Sequence, residues 1–332
     1  MTHKLQIIMP HYNESQEIVA NLLNSIKMQQ AINFADLEVL LINDGNEVIL
    51  KDSFIKEYPF SIQYFIKDWE GPAAARQYGL EKATADYVMF CDSDDMFYRL
   101  DALWEVFKVI ETKSPDVITS QFITYYENPT FNTFSPINHD DIWIHGKIWK
   151  LDYLKEKTIS WDTSLKICED ALFTRLGLNL TKNIINIPNT LYYWRQREDS
   201  YSQKLNGHAL ETYLDRIASC ESLTKKFLSL NETKLAARFV FIQIYECYFE
   251  LQCREWFFPE NMDLKLKIES KIADFMRLYD YLLSDLQYQE AAELINMLRD
   301  RYYIQTGMIS LEEISFVEWK KMLIENYINK EV

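Results

Sequence analysis

The chain has 332 residues, enough for about two domains, and carries 35 Lys and Arg against 50 Asp and Glu, a formal net charge of −15. The acid excess is spread along the chain, with 20 basic and 29 acidic side chains in residues 1–205 and 15 and 21 in residues 206–332, so neither part offers a basic face and nucleic acid is disfavoured as a partner. An apolar fraction of 48% with 14% aromatics excludes a disordered, collagen-like or low-complexity chain.

The N-terminus runs from Met1 into Leu5–Met9, an apolar stretch too short for a signal peptide and followed by no small-residue cleavage site. No stretch approaches the ~20 apolar residues of a membrane span. The five cysteines, at 91, 168, 220, 247 and 253, are odd in number and form no C-x-x-C pair. This disfavours a disulfide framework or a thiolate zinc site and favours a reducing, cytoplasmic compartment.

Strand-length apolar runs recur at Leu5–Met9, Leu37–Ile42, Ile62–Phe65, Tyr87–Cys91 and Val117–Thr119. Between the first two, Ile18, Val19, Leu22, Leu23 and Ile26 recur at helical spacing, with Asn13 as the expected N-cap and Gln16 three residues on. After the fourth, Leu103, Val106, Phe107 and Ile110 repeat the pattern. Such alternation predicts an α/β domain whose central sheet is mostly parallel and covered by helices. Ligands then bind at the carboxyl ends of the strands.

From about 121 to 205 the pattern loosens into short aromatic segments, including Trp143–Trp149 and Leu191–Trp194, around a helical stretch at Asp170–Leu178. From about 208 it is helical, with apolar stripes at Leu210, Tyr213, Leu214 and Ile217, at Leu235, Ala236, Phe239, Val240 and Ile242, and at Leu311, Ile314 and Val317. The expected organisation is an α/β domain over 1–205 and a helical domain over 206–332. A stripe left exposed there would form a homodimer interface.

Four polar clusters follow the strands. Phe90-Cys91-Asp92-Ser93-Asp94-Asp95 crowds three carboxylates into four residues, which suits a hard divalent ion or a solvated turn whose Asp95 caps the next helix. Met9-Pro10-His11-Tyr12-Asn13-Glu14 ends the first strand with a ring available for stacking and opens a helix whose N-terminus favours an anion. Ile42-Asn43-Asp44-Gly45 places a carboxylate where it can accept a base N–H or simply make a turn. Gly71-Pro72-Ala73-Ala74-Ala75-Arg76-Gln77 allows close backbone approach and carries a guanidinium one helical turn later.

The order and spacing of these clusters resemble the family 2 glycosyltransferases of GT-A fold. Ile144-His145-Gly146-Lys147-Ile148-Trp149 is similar to that family's His/Trp-Gly-Lys segment, and Cys168-Glu169-Asp170 to its Glu-Asp pair. Tyr193-Trp194-Arg195-Gln196-Arg197, with Ser200 and Ser202, resembles its closing arginine-rich loop. The resemblance spans residues 5 to about 205. It implies that Tyr12 stacks on uracil, Asp44 accepts its N3–H, and Arg76 lies near the diphosphate. It further implies that Asp92 and Asp94 hold the ribose and a metal, Mn²⁺ or Mg²⁺, with Asp95 as the competing ligand. Asp170 is the implied general base and Glu169 its neighbour, and Arg195 or Arg197 closes over the phosphates. Pro10, Glu14, Gly71, Ser93, His145 and Lys147 complete the implied nucleotide-sugar set.

His145 reads as a metal ligand, a phosphate donor or a hydrogen-bonded structural residue, and Lys147 as a diphosphate partner or a solvated lysine. Asn43 and Gln77 depart from the family's usual Asp and Asn. The Gln-x-x-Arg-Trp order of processive members is absent, since Trp194 precedes Arg195, and this favours a single transfer. The expected activity is inverting, metal-dependent transfer of one sugar from a UDP-sugar to an acceptor hydroxyl on a glycan, cell-wall polymer or other biomolecule. Trp143, Trp149, Trp161 and Trp256-Phe257-Phe258 are acceptor-stacking or core residues. A sugar-1-phosphate nucleotidyltransferase ranks lower because Pro10–Gln16 contains no glycine-rich phosphate loop. A non-catalytic carbohydrate or nucleotide-sugar module is disfavoured by the intact Asp92, Asp94 and Asp170.

Overall fold

The computed structural model describes residues 3–45, 48–126, 134–137, 140–196, 211–253, 262–285, 290, 293–297 and 315–328. The chain divides into two compact units, Met1–Leu205 and Asn206–Val332.

The first unit runs β1 (Leu5–His11), α1 (Gln16–Lys27), β2 (Leu37–Asp44), α2 (Asp52–Ile55), β3 (Ser61–Lys67), α3 (Pro72–Lys82), β4 (Tyr87–Phe90) and β5 (Met96–Phe97). It continues α4 (Ala102–Lys113), β6 (Val117–Tyr126), β7 (Phe134–Ile137), β8 (Lys147–Lys150), α5 (Leu151–Glu156), α6 (Glu169–Asn179) and β9 (Ile184–Gln196). The strands form one sheet in the order β3-β2-β1-β4-β8-β6-β9-β5, with β7 paired to β6.

Helices cover both faces of β1, β2 and β4, which is why these strands are apolar runs without polar alternation. All eight residues of β2 are buried, whereas β3, at the edge, has several exposed positions. Val19, Leu22, Leu23 and Ile26 of α1 pack into the core against Leu5, Ile7, Val39 and Leu41. Each such side chain contributes roughly 1.5–3 kcal/mol by leaving water. The helix begins later than an Asn13 cap would place it. Its N-cap is Ser15, because Glu14 turns back to accept the Tyr12 amide and occupies residues 12–14 in a separate turn. Likewise Asp95 does not cap α4, whose N-cap is Asp101.

The ladders β1–β2, β1–β4 and β2–β3 are parallel, and their register brings His11 opposite Asn43 and Asp44 opposite Lys67. Beyond β4 the sheet is mixed. β8 runs antiparallel to β4, with Met89 opposite Ile148, so the residues preceding β8 arrive beside the carboxyl end of β4. β6 pairs antiparallel with β8 and parallel with β9 through a bulge at Ser120–Phe122. β9 pairs antiparallel with β5, setting Met96 opposite Tyr193 and Phe97 opposite Tyr192. Of the aromatic segments, 191–194 lies on β9, and 143–149 leads into β8, with residues 147–149 on the strand. Helix α6 crosses the buried Trp149 at Gly177, where a Cβ would come within 2.1 Å of the indole, so only glycine permits that approach.

The second unit contains α7 (Glu211–Ser229), α8 (Thr233–Cys253), α9 (Met262–Tyr279) and α10 (Phe316–Leu323), and no strand among its described residues. Tyr213 and Ile217 of α7 and Ala236, Phe239, Val240 and Ile242 of α8 are buried, as their spacing predicts. The third stripe differs. Val317 is 74% exposed, while Trp319 and Leu323 are buried, because the Ser315–Glu318 capping box starts α10 in a phase that turns residue 317 outward. Leu210, Leu311 and Ile314 lie outside the described residues. Among the described residues no helix is long and apolar enough to cross a membrane.

Candidate active site

The carboxyl ends of β1, β2 and β3 present Tyr12, Asp44 and Lys67. Tyr12 is 41% exposed and lies 6.4 Å, centroid to centroid, from the ring of Trp69, itself 62% exposed. Large aromatic side chains this open to solvent, on a surface next to strand ends, suit stacking on a planar ligand. Asp44 is buried, and its carboxylate accepts from Lys67 Nζ at 2.7 Å and from the backbone amides of Glu70 at 3.1 Å and Gly71 at 2.8 Å. It therefore ties β2 to the loop that opens α3. Gly71, at φ 98°, is the N-cap of α3, a backbone geometry that favours glycine. Pro10 lies within β1 opposite Ile42, and Glu14 accepts the Tyr12 amide at 2.7 Å.

Arg76, on α3, is buried and joins three carboxylates. Its Nη2 donates to Asp92 at 2.8 Å, and its Nη1 donates to Glu169 and to Asp170, each at 3.1 Å. The guanidinium also lies 5.0 Å from the Trp161 ring. Its donors thus face protein carboxylates of β4 and α6. Burial lifts the Asp170 carboxyl to about 8, Glu169 and Asp92 adding to the rise while Arg76 opposes it. Burial likewise raises Glu169 against the pull of Arg76. At Asp92 burial pushes the same way, but the Arg76 guanidinium prevails and holds the carboxyl below its usual range. The site thus has an ionised carboxylate on β4's end and one on α6 poised near neutral pH, the separation that acid–base chemistry uses.

The Asp92–Asp95 segment is anchored from β9. Asp95 is fully buried and accepts from the Tyr192 hydroxyl at 2.6 Å and from the Arg195 amide at 2.9 Å. Burial, with Asp94 and Asp92 nearby, raises its carboxyl far above the usual range. His145 is buried among Phe122, Trp143, Tyr192 and Trp194, and burial lowers it to about 4, so the ring is neutral at pH 7. Asp92, Asp95 and His145 each bring one ligand atom within 4.8 Å of the others, and His145 Nδ1 is buried without a hydrogen-bond partner. Carboxylates with a neutral imidazole suit Mn²⁺ or Mg²⁺, so the residues present fit such an ion. Ser93 is buried and Asp94 half-buried.

Lys147 is buried. It donates to Asp140 at 2.7 Å and to the Trp143 carbonyl at 2.6 Å, so it is neither solvated nor open to an outside anion. Burial lowers its pKa against the opposing charge of Asp140. Trp149 and Trp161 pack as core around Phe173, whereas Trp143, 4.7 Å from Trp194, is partly exposed. Arg195 lies near the end of β9. Arg197, Ser200, Ser202 and Trp256-Phe257-Phe258 lie outside the described residues. Sequence reading did not single out Lys67, Trp69, Asp140 or Tyr192. Trp69 sits two residues before Gly71 and was findable as an aromatic beside a strand-end motif; Tyr192, inside an apolar run, gave no local signal.

The model of the glycosyl transferase family 2 matches residues 6–175, just over half of the chain. The minor teichoic acid biosynthesis protein GgaB of Bacillus subtilis is 29% identical over 236 residues, covering 64% of this chain and 25% of its own length. The poly(ribitol-phosphate) β-N-acetylglucosaminyltransferase TarS of Staphylococcus aureus is 22% identical over 261 residues, covering 71% of this chain and 44% of its own length. The chain thus spans less than half the length of these curated relatives. The crystal structure of TarS 1–349 in complex with UDP-GlcNAc superposes with a TM-score of 0.67 at 17% identity, covering 98% of this chain and 92% of that one. The chain belongs to glycosyl transferase family 2 and has the GT-A fold.

Proposed function

We propose that this chain transfers a single sugar from a UDP-sugar to an acceptor hydroxyl, with inversion at the anomeric carbon. The observation that carries the reading is the Arg76 junction, where one guanidinium joins the strand-end carboxylate Asp92 to the Glu169–Asp170 pair. It sets the nucleotide side and the basic side of one reaction next to each other. Family membership supports the reaction type, and the solved TarS complex with UDP-GlcNAc supports a UDP-N-acetylhexosamine as the first donor to try. The names of GgaB and TarS favour a cell-wall polymer as acceptor.

Tyr12, with Trp69 beside it, stacks on the uracil. Asp170 accepts the proton of the acceptor hydroxyl, whose oxygen bonds to the anomeric carbon as the bond to the diphosphate breaks on the opposite face. A carboxyl near 8 suits a base working around neutral pH. Arg76 fixes Asp170 and Glu169 in orientation, so that only the loaded acceptor need be brought to the base. A divalent ion, when bound, supplies positive charge to the departing diphosphate. Asp92 and His145, whose ligand atoms converge with those of Asp95, would hold it, with Asp94 proposed as the further carboxylate because both Asp95 oxygens already accept from Tyr192 and Arg195.

A UDP-release screen over a panel of nucleotide sugars, with and without a teichoic-acid-type polymer, tests this. Release from one UDP-sugar that rises with acceptor is expected. Consumption of nucleotide sugar only with added pyrophosphate would make the chain a nucleotidyltransferase, and binding without turnover would make it a recognition module.

A further inference from the structure

One buried hydroxyl holds both ends of the acidic segment. Tyr192 Oη accepts the backbone N–H of Asp92 at 3.1 Å and donates to Asp95 Oδ2 at 2.6 Å, while the other Asp95 oxygen accepts the Arg195 amide at 2.9 Å. The Asp95 amide closes the turn onto the Asp92 carbonyl at 3.1 Å, leaving Ser93 and Asp94 between the two anchors. The Tyr192 ring also stacks on His145 at 5.2 Å with planes 15° apart. A single side chain therefore touches Asp92, Asp95 and His145, the three residues whose ligand atoms converge. It comes from β9, about a hundred residues along the chain, and is seated there by the Phe97–Tyr192 register.

A buried carboxyl and a buried phenol are costly ways to fill a core, since apolar groups of the same volume are usually at least as stabilising. Here they determine direction. With the Asp92 amide fixed by the Tyr192 hydroxyl, its carboxylate reaches Arg76, and the His145 ring stacks on the same tyrosine.

We propose that Tyr192 is a positioning residue, whose hydroxyl sets the Asp92–Asp95 segment and His145 for ion-dependent binding of the nucleotide diphosphate. The role rests on the donor reading above. Tyr192→Phe keeps the ring and removes both hydrogen bonds. In the 332-residue chain, calorimetry with UDP should show the Mn²⁺-dependent gain in affinity cut by roughly 5–30-fold, the equivalent of losing a buried hydrogen bond pair. UDP affinity without Mn²⁺ should stay within about twofold, since stacking on Tyr12 is untouched. KM for the donor should rise with the same factor while kcat moves by less than about threefold.

Asp95→Asn, which keeps one oxygen for the Arg195 amide or the Tyr192 hydroxyl, should give a smaller loss with the same ion-specific signature, and it carries the test if Tyr192→Phe does not fold. A purely structural tyrosine would lower the thermal midpoint and leave the ion-dependent gain and KM at parental values. That result overturns the tether alone. A parent chain that gains no UDP affinity from Mn²⁺ overturns the ion-dependent purpose, and one that does not bind UDP overturns the donor reading together with this role.

Discussion

Strands β3, β2, β1 and β4 pair in parallel, and each ends in a short polar motif, whereas β8, β6, β9 and β5 are joined mainly by antiparallel ladders and bring together residues that share no motif. In the parallel half every carboxyl end faces the same way, so Tyr12, Asp44, Arg76 and Asp92 are each announced by the few residues around them. In the mixed half the working groups are defined by pairing: His145 reaches Asp92 because β8 runs back along β4, and Tyr192 reaches Asp95 because β9 runs back along β5. Besides the β4–β8 ladder, Arg76 joins the halves through side chains, contacting Asp92 on one side and Glu169 and Asp170 on the other.

Removing that contact should have the largest effect. Arg76→Ala leaves three neighbouring carboxylates without their cation, and unfolding by denaturant should show a loss of about 3–5 kcal/mol, the range for breaking a buried ion pair, together with loss of transfer. Arg76→Lys keeps the charge but not the fork, so it should recover only part of the stability. An alanine variant as stable as the parent would mean that the three carboxylates do not depend on Arg76 for their burial.

The buried histidines sharpen the comparison, one lying at the end of β1 and one before β8. Burial lowers both His11 and His145 to about 4. A histidine whose folded pKa is depressed contributes stability that is complete above its unfolded value near 6.5 and is lost as pH falls through that value toward 4. The loss is about 3 kcal/mol for each residue over this window. Removing the titrating ring in His11→Phe should make the stability lost between pH 6.5 and 4 about 3 kcal/mol smaller than in the parent, and an unchanged pH dependence would place the acid sensitivity outside β1.

Smaller effects are confined to the parallel half. Tyr12→Ala should weaken UDP binding by roughly 1–3 kcal/mol through lost base stacking, measured by calorimetry. Trp69→Ala should act in the same direction and by less, and an equal or larger loss would make Trp69 the principal stacking surface.

The same contrast explains what was legible in the sequence. The apolar runs at 5–9, 37–42 and 87–91 fall at β1, β2 and β4, because strands buried on both faces must be apolar throughout, and the run at 62–65 lies on β3, an edge strand with exposed positions between its apolar residues. The Glu169–Asp170 helix start was legible for the same local reason, as acids in a first turn. Segments 143–149 and 191–194 showed only aromatic density, since a strand that fills a core with Trp and Tyr loses the alternation that reveals its pairing. Lys147 had the residue type of an anion site, but its partner Asp140 became evident only through the fold. The phase of α10 was set by the Ser315 cap, which outweighed an apolar spacing extending back to Leu311.

The most direct measurement compares transfer with binding in Asp170→Asn. The substitution keeps the shape and removes the basicity, so transfer to acceptor should fall by roughly 10²–10⁴-fold, the usual contribution of a positioned base. Calorimetric affinity for UDP with Mn²⁺ should stay within a few-fold of the parent, and Glu169→Gln should be milder, because Glu169 shares the Arg76 nitrogen with Asp170 but is not the group assigned the acceptor proton. Near-parental transfer by Asp170→Asn with loss in Glu169→Gln would make Glu169 the base, and near-parental transfer by both would contradict the mechanism.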